Sequence, residues 1–111
     1  MIYEPWDIVA VPFPFTDRNV QKKRPALVLT NSVYQEQHGH CILAMITSAK
    51  QSSWSTDIMI EDLDSAGLKS PSLVRTKLFT LDDRLILRQV GELSKFDQKK
   101  VAKVLQHMFA F

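Results

Sequence analysis

Apolar residues in this chain fall into short runs separated by polar stretches, and a helical spacing emerges only near the C-terminus. Asp7-Ile8-Val9-Ala10-Val11 is rich in β-branched residues and predicts a first strand. That strand is expected to stop at Pro12, with Pro14 beyond it, because proline has no N–H to give to a ladder. Residues 15–23 are polar and basic and read as a mobile loop. The run Ala26-Leu27-Val28-Leu29 lies in a second strand over 24–30, apolar enough to be buried on both faces. A polar connection over 31–40, with room for one short helical turn, leads to a third strand over 41–47. A loop follows over 49–55, then a weakly alternating strand over 57–61 and a turn at 64–68. Two further short strands are predicted over 72–76 and 85–90, joined through Thr80-Leu81-Asp82-Asp83.

The C-terminal segment has a different period. Ser94-Lys95-Phe96-Asp97 is a capping box, a serine N-cap with an acid three residues on. Val101, Val104, Leu105 and Met108 then recur at helical spacing and predict one apolar face. Six short strands and one terminal helix describe a mainly β fold, a small barrel or curled sheet with a helix packed against it.

Composition narrows the class. At 111 residues the chain is expected to form a single domain over residues 1–111. No apolar run approaches the roughly 20 residues of a membrane span, so no membrane partner is expected. Met1 to Pro5 lacks the basic and apolar regions of a signal peptide, which predicts a cytoplasmic protein. Cys41 is the only cysteine, within an apolar run, and reads as a small core residue. The net charge of +2 is too small to identify a nucleic-acid binder. Its distribution says more: Arg18, Lys22, Lys23 and Arg24 are grouped while Glu61, Asp62 and Asp64 cluster elsewhere, so a local basic patch can meet a short stretch of phosphate backbone. His38 and His40 are two residues apart with no distal pair to complete a zinc site, so neither a metal nor another cofactor is expected.

The chemistry sits at the ends of two strands. Arg24 opens the second and Thr47-Ser48 closes the third. On neighbouring antiparallel strands both would emerge at one rim. The guanidinium fork of Arg24 matches a phosphate, and the two hydroxyls add compact donors beside it. Each feature also has an ordinary explanation, a strand-opening ion pair for Arg24 and a strand exit for the hydroxyls.

These blocks taken in order resemble the MazF/PemK-like toxins. They are Asp7-Ile8-Val9, Pro12-Phe13-Pro14-Phe15-Thr16-Asp17, Lys23-Arg24-Pro25-Ala26-Leu27-Val28-Leu29, Ile46-Thr47-Ser48, Ala66-Gly67-Leu68, Pro71-Ser72-Leu73-Val74-Arg75, Thr80-Leu81-Asp82 and Val90-Gly91-Glu92-Leu93. The resemblance implies an SH3-like barrel of the MazF/CcdB type with a C-terminal helix, acting as a homodimer. It implies the toxin half of a type II toxin–antitoxin pair, a sequence-specific endoribonuclease that cleaves single-stranded mRNA without a metal. It also implies a cognate antitoxin whose acidic C-terminal segment covers the RNA groove. By the same resemblance Arg24 and Thr47 are catalytic, with Ser48 adjacent. The chain departs from the family at Trp6, where glycine is usual. It also departs at Lys77, where some members place an aspartate after Arg75, so that aspartate's acid–base role has no counterpart here.

Cleavage of RNA by its own 2′-hydroxyl needs alignment and charge stabilisation at the phosphorane oxygens. Arg24 suits charge stabilisation, and Thr47 and Ser48 suit hydrogen bonding to the phosphate or the 2′-hydroxyl. The sequence offers no evident general base. Arg18, Lys22, Lys23, Lys50, Arg75 and Lys77 are candidates for phosphate contacts, and Phe15 and Trp54 for stacking on unpaired bases. Two other readings stay open: a CcdB-like inhibitor of a protein target such as gyrase, and a barrel that binds RNA without cutting it.

Overall fold

In the computed structural model, which describes residues 1–13, 22–50 and 53–111, six antiparallel strands form one curled sheet. The strands are β1 (Asp7–Phe13), β2 (Lys22–Val28), β3 (His40–Ser48), β4 (Ile58–Met59), β5 (Ser72–Asp82) and β6 (Arg88–Glu92), arranged β4-β5-β3-β2-β1-β6. Among the described residues three α-helices accompany them, α1 (Ser32–His38), α2 (Leu63–Ala66) and α3 (Lys95–Met108), with a single 3-10 turn over Asp83–Leu85. The expected mainly β architecture with a C-terminal helix is the one that forms.

Side chains alternate across the sheet, so β1, β2, β3 and β5 each feed two cores. Ile8, Leu27, Ala44, Ile46 and Val74 face α2 and α3, where they meet Ala66, Leu93 and Val101. Val9, Val11, Ala26, Val28, Cys41, Leu43 and Leu81 face the opposite way and are closed at one end by Tyr3 and Ile86. The other end of this second core stays open, and the candidate site lies there.

Several boundaries differ from expectation, for local reasons. β1 does not stop at Pro12 but continues to Phe13, with Pro12 opposite Lys23. Leu87 N–H donates to Ala10 C=O at 2.9 Å, so the polar backbone atoms of Ala10 face β6. Two residues on, the Pro12 nitrogen faces the same side, beyond the last β1–β6 pair, where no donor is required. β2 begins at Lys22, so the last two residues of the loop expected over 15–23 belong to a strand, and the rest of that loop lies outside the described residues. α1 makes two turns rather than one because both ends are capped. Asn31 Oδ1 accepts from Tyr34 N–H, and Gly39 closes the helix at φ 70°. β4 shrinks to two residues.

The largest departure is β5, which runs unbroken to Asp82 instead of ending near residue 76. It stays paired to β3 by absorbing a bulge, with Met45 opposite Arg75 and Ala44 opposite Leu78. Thr76 and Lys77 are the two unmatched residues, and an even insertion preserves the alternation on both sides of it.

α3 starts where the capping box places it. Asp97 N–H donates to Ser94 Oγ at 3.2 Å, and the Asp97 carboxylate reaches out of the helix to accept from Glu61 N–H and Asp62 N–H. Val101, Val104 and Leu105 pack on the first core as expected, but Met108 is left 39% exposed. Gly67 and Gly91 allow α2 to press on β6: a methyl on Gly91 would lie 2.4 Å from the Ala66 carbonyl. No helix among the described residues is long and apolar enough to cross a membrane.

Candidate active site

The face of the sheet that carries the second core continues outward, on four neighbouring strands, into an open cleft. On β1 the series Val9, Val11 leads to Phe13; on β2, Val28 and Ala26 lead to Arg24. On β3, Cys41 and Leu43 lead to Met45 and Thr47, and on β5 the same face ends at Arg75. Phe13, Arg24, Met45, Thr47 and Arg75 line a cleft of about 320 Å³ together with Ile46 and Ser48. A strand period of two therefore places the arginines and the threonine on one side.

Arg24 and Thr47 come level with one another. β2 and β3 pair as far as Ala26 and Met45, and the same register extended by two residues would set Arg24 across from Thr47. Among the described residues no ion pair or hydrogen bond engages either side chain, and Arg24 is exposed. Both also border a second hollow of about 200 Å³ on the far side of the rim, shared with Lys69, Ser70 and Ser72. Ser48 lines both hollows but alternates away from Thr47. Its Oγ accepts the Lys50 N–H at 3.3 Å, a bond that turns the chain out of β3.

Arg75 is held very differently from Arg24. Its Nε donates to Asp57 Oδ1 at 3.0 Å and an Nη to Asp57 Oδ2 at 2.9 Å, a two-pronged pair whose side chains are only 11% and 10% exposed. The Arg75 guanidinium holds the Asp57 carboxyl below its usual range, aided by the Trp54 N–H and opposed by burial. Asp57 owes its place to a closed turn. Trp54 N–H donates to Asp57 Oδ2 at 2.8 Å, and Asp57 N–H donates back to Trp54 C=O at 3.1 Å. A hydroxyl pair, Thr56 Oγ1 to Thr76 Oγ1 at 2.7 Å, ties this turn to the bulge of β5. The Trp54 ring lies over the Arg75 guanidinium, 5.1 Å from its centroid, and remains 43% exposed.

The remaining predicted contacts distribute around this centre. Lys22 and Lys23 border a separate hollow of about 260 Å³ with Pro12, Arg84, Leu85 and Leu87. Lys50 sits in the turn after β3, and Lys77 is exposed in the bulge, outside the cleft lining. Phe15 and Arg18 lie outside the described residues. His38 and His40 belong to an aromatic cluster with Tyr34, whose hydroxyl meets His40 Nε2 at 2.8 Å. Among the described residues no three His, Cys, Asp or Glu side chains converge as metal ligands. Asp57 is the functional candidate the sequence reading missed. The spacing Trp54-x-x-Asp57, a side chain capping the N–H three residues back, is the signal that points to it.

The family model described as PemK-like, MazF-like toxin of type II toxin–antitoxin system matches residues 4–109. No curated protein sequence matches the chain. Among solved structures, MazF from Deinococcus radiodurans superposes with a TM-score of 0.76 at 19% identity, over 97% of this chain and 96% of that one. The Mycobacterium tuberculosis toxin MazF-mt6 superposes with a TM-score of 0.71 at 22% identity, over 91% and 93%. An endoribonuclease in complex with its cognate antitoxin, from a mycobacterial species, gives 0.74 at 13% identity, over 96% and 91%. At these identities the superpositions establish a shared fold.

Proposed function

The chain belongs to the PemK-like, MazF-like toxins of type II toxin–antitoxin systems, and on that premise we propose that it is a sequence-specific endoribonuclease acting on single-stranded RNA without a metal. The observation that carries this reading is the cleft that Arg24 and Thr47 line together at one rim, neither side chain engaged by an ion pair or hydrogen bond among the described residues. In the proposed reaction the 2′-oxygen of the substrate attacks the adjacent phosphorus as the P–O5′ bond breaks. The products are a 2′,3′-cyclic phosphate and a 5′-hydroxyl end. The proton lost by the 2′-hydroxyl goes to solvent, and the departing O5′ takes one up. Arg24 bridges the non-bridging oxygens as they gain charge. Thr47 donates a hydrogen bond to the same phosphate and helps align the 2′-hydroxyl, with Ser48 positioned beside it.

Lys22, Lys23 and Lys50 are proposed to hold flanking phosphates and Trp54 to stack on a base, with Arg18 proposed as a further phosphate contact and Phe15 as a further stacking residue. A homodimer and an antitoxin with an acidic C-terminal segment complete the proposal. The basic rim around Arg24 supports the second, since an acidic peptide would compete with RNA for the same cations.

Primer extension on a long transcript, with purified protein in excess chelator, tests the reading. Wild type is expected to give discrete stops, and Arg24→Ala to lower the cleavage rate about 10²–10³-fold, as loss of a charge-stabilising donor does. Thr47→Val is expected to slow cleavage with little change in RNA binding. Equal cleavage by wild type and Arg24→Ala would remove the proposed centre. Toxicity that survives in Arg24→Ala without any RNA products would favour the protein-target inhibitor instead.

A further inference from the structure

The two arginines in one cleft pose a question of charge. Arg24 has no partner among the described residues, whereas Arg75 is bound by two hydrogen bonds to a nearly buried carboxylate. We propose that Asp57 is a positioning residue for RNA cleavage: it fixes the plane of Arg75 in the cleft and cancels the charge that Arg75 would otherwise present to the resting substrate. The inference rests on the ribonuclease reading and assigns a residue that the family resemblance did not supply.

The supporting geometry is a built unit. The turn from Trp54 to Asp57 closes on itself, Thr56 pins it to Thr76 on β5, and the carboxylate then grips the fork of Arg75 from beside the cleft. The Trp54 ring covers the guanidinium at 5.1 Å. A guanidinium held at both Nε and Nη and packed under an indole cannot swing to follow a phosphate, as a surface arginine does. The plane of this cleft-lining guanidinium is therefore set before substrate arrives, and preorganisation of this kind favours a transition state over a ground state. Neutralisation serves the same end. Strands β2 and β5 lie either side of β3, roughly 10 Å apart, so one phosphodiester would feel both arginines. With Asp57 ionised, Arg24, Arg75 and Asp57 together present one positive charge. The cleft thus avoids holding uncleaved RNA so tightly that binding does nothing for the rate.

The test separates charge from folding and from catalysis. Binding of a single-stranded 2′-O-methyl oligoribonucleotide, which cannot be cut, is measured against salt for wild type, Asp57→Asn, Asp57→Glu and Arg75→Gln. Single-turnover cleavage is measured on a transcript, with thermal melting to confirm folding. Asp57→Asn unmasks one cation, so it is expected to bind several-fold more tightly, with the log–log salt slope steeper by about 0.7. Its cleavage is expected to fall ten-fold or more as Arg75 loses its fixed plane. Asp57→Glu should recover the wild-type slope. Arg75→Gln, the mirror variant if Asp57→Asn does not fold, leaves an unpaired carboxylate and should weaken binding and flatten the slope by a similar amount. An unchanged slope in folded Asp57→Asn overturns the proposal, as does cleavage equal to wild type. A wild type that binds RNA but leaves it intact would remove the nuclease reading and the positioning role with it, while the slopes would still decide whether Asp57 masks the charge of Arg75. A wild type that does not bind would end both.

Discussion

Trp6 shows how one residue can satisfy two incompatible demands. Its φ is 76°, in the left-handed region where a Cβ costs on the order of 1–2 kcal/mol and where glycine is at ease. The family's usual glycine at this point therefore has a backbone reason. Tryptophan tolerates the same geometry because Trp6 N–H donates to Val28 C=O at 2.8 Å and its own C=O accepts from Leu93 N–H at 2.9 Å. Its ring also packs against the first core. Removing the ring by two routes isolates the strain. Trp6→Gly and Trp6→Ala lose the same packing, but only alanine keeps the misplaced Cβ. Urea denaturation is expected to find Trp6→Gly more stable than Trp6→Ala by about 1 kcal/mol, the reverse of their order in most structured positions. Equal midpoints would mean that the bonds to Val28 and Leu93 do not hold the backbone there.

At the scale of elements, α3 depends on one carboxylate. Asp97 is 1% exposed and accepts from Glu61 N–H at 3.1 Å, Asp62 N–H at 3.0 Å and the Ser94 hydroxyl at 3.1 Å, with Lys100 Nζ at 3.3 Å. Burial pushes its carboxyl up, but the N–H groups of Asp62 and Glu61, Lys100 and the Ser94 hydroxyl outweigh that and hold it below the usual carboxylate range. A depressed acid stabilises the fold fully above its unfolded value, near 3.9. That stability drains as pH falls through the lower folded value. Asp97→Asn leaves buried donors without their charged acceptor and is expected to cost about 2–4 kcal/mol at pH 7. Thermal melts of the pair should converge below about pH 4, as wild type loses the advantage the variant never had. A gap that stays constant to pH 3 would show that ionisation of Asp97 is not the source.

The same comparison explains which elements could be read beforehand. Ser94, Asp97, Val101, Val104 and Leu105 carry a helical period and its cap in sequence, and β1 to β3 carry unbroken apolar runs, so these were legible. The outer half of β5 was not. Lys77, Thr80 and Asp82 interrupt its apolar positions, and the bulge at Thr76–Lys77 shifts its pairing against β3. Only the partner strand makes Leu78 to Asp82 extended. The site divides in the same way. Arg24 and Thr47 were visible because each closes or opens an apolar strand, and their neighbourhood follows from antiparallel pairing. Asp57 was hidden because its importance depends on a turn meeting a bulge, two irregular features that carry no period.

Over the whole molecule, one side of the sheet is covered by α2 and α3 and the other encloses a second core whose open end is the cleft. Cys41 lies inside that second core on β3, fully buried, and is the only thiol of the chain. Burial pushes its pKa up, partly offset by Thr30 and reinforced by Asp83. A modifying reagent in water cannot reach it unless β3 parts from its neighbours. The chain therefore contains a natural stopwatch for its own opening: the pace of alkylation in native buffer, divided by the pace in denaturant, should return the free energy of unfolding without any engineered label. With a stability of the usual 5–15 kcal/mol, that ratio should fall below about 10⁻³. An alkylation pace close to that of the denatured chain would reveal a sheet that breathes locally around its central strand.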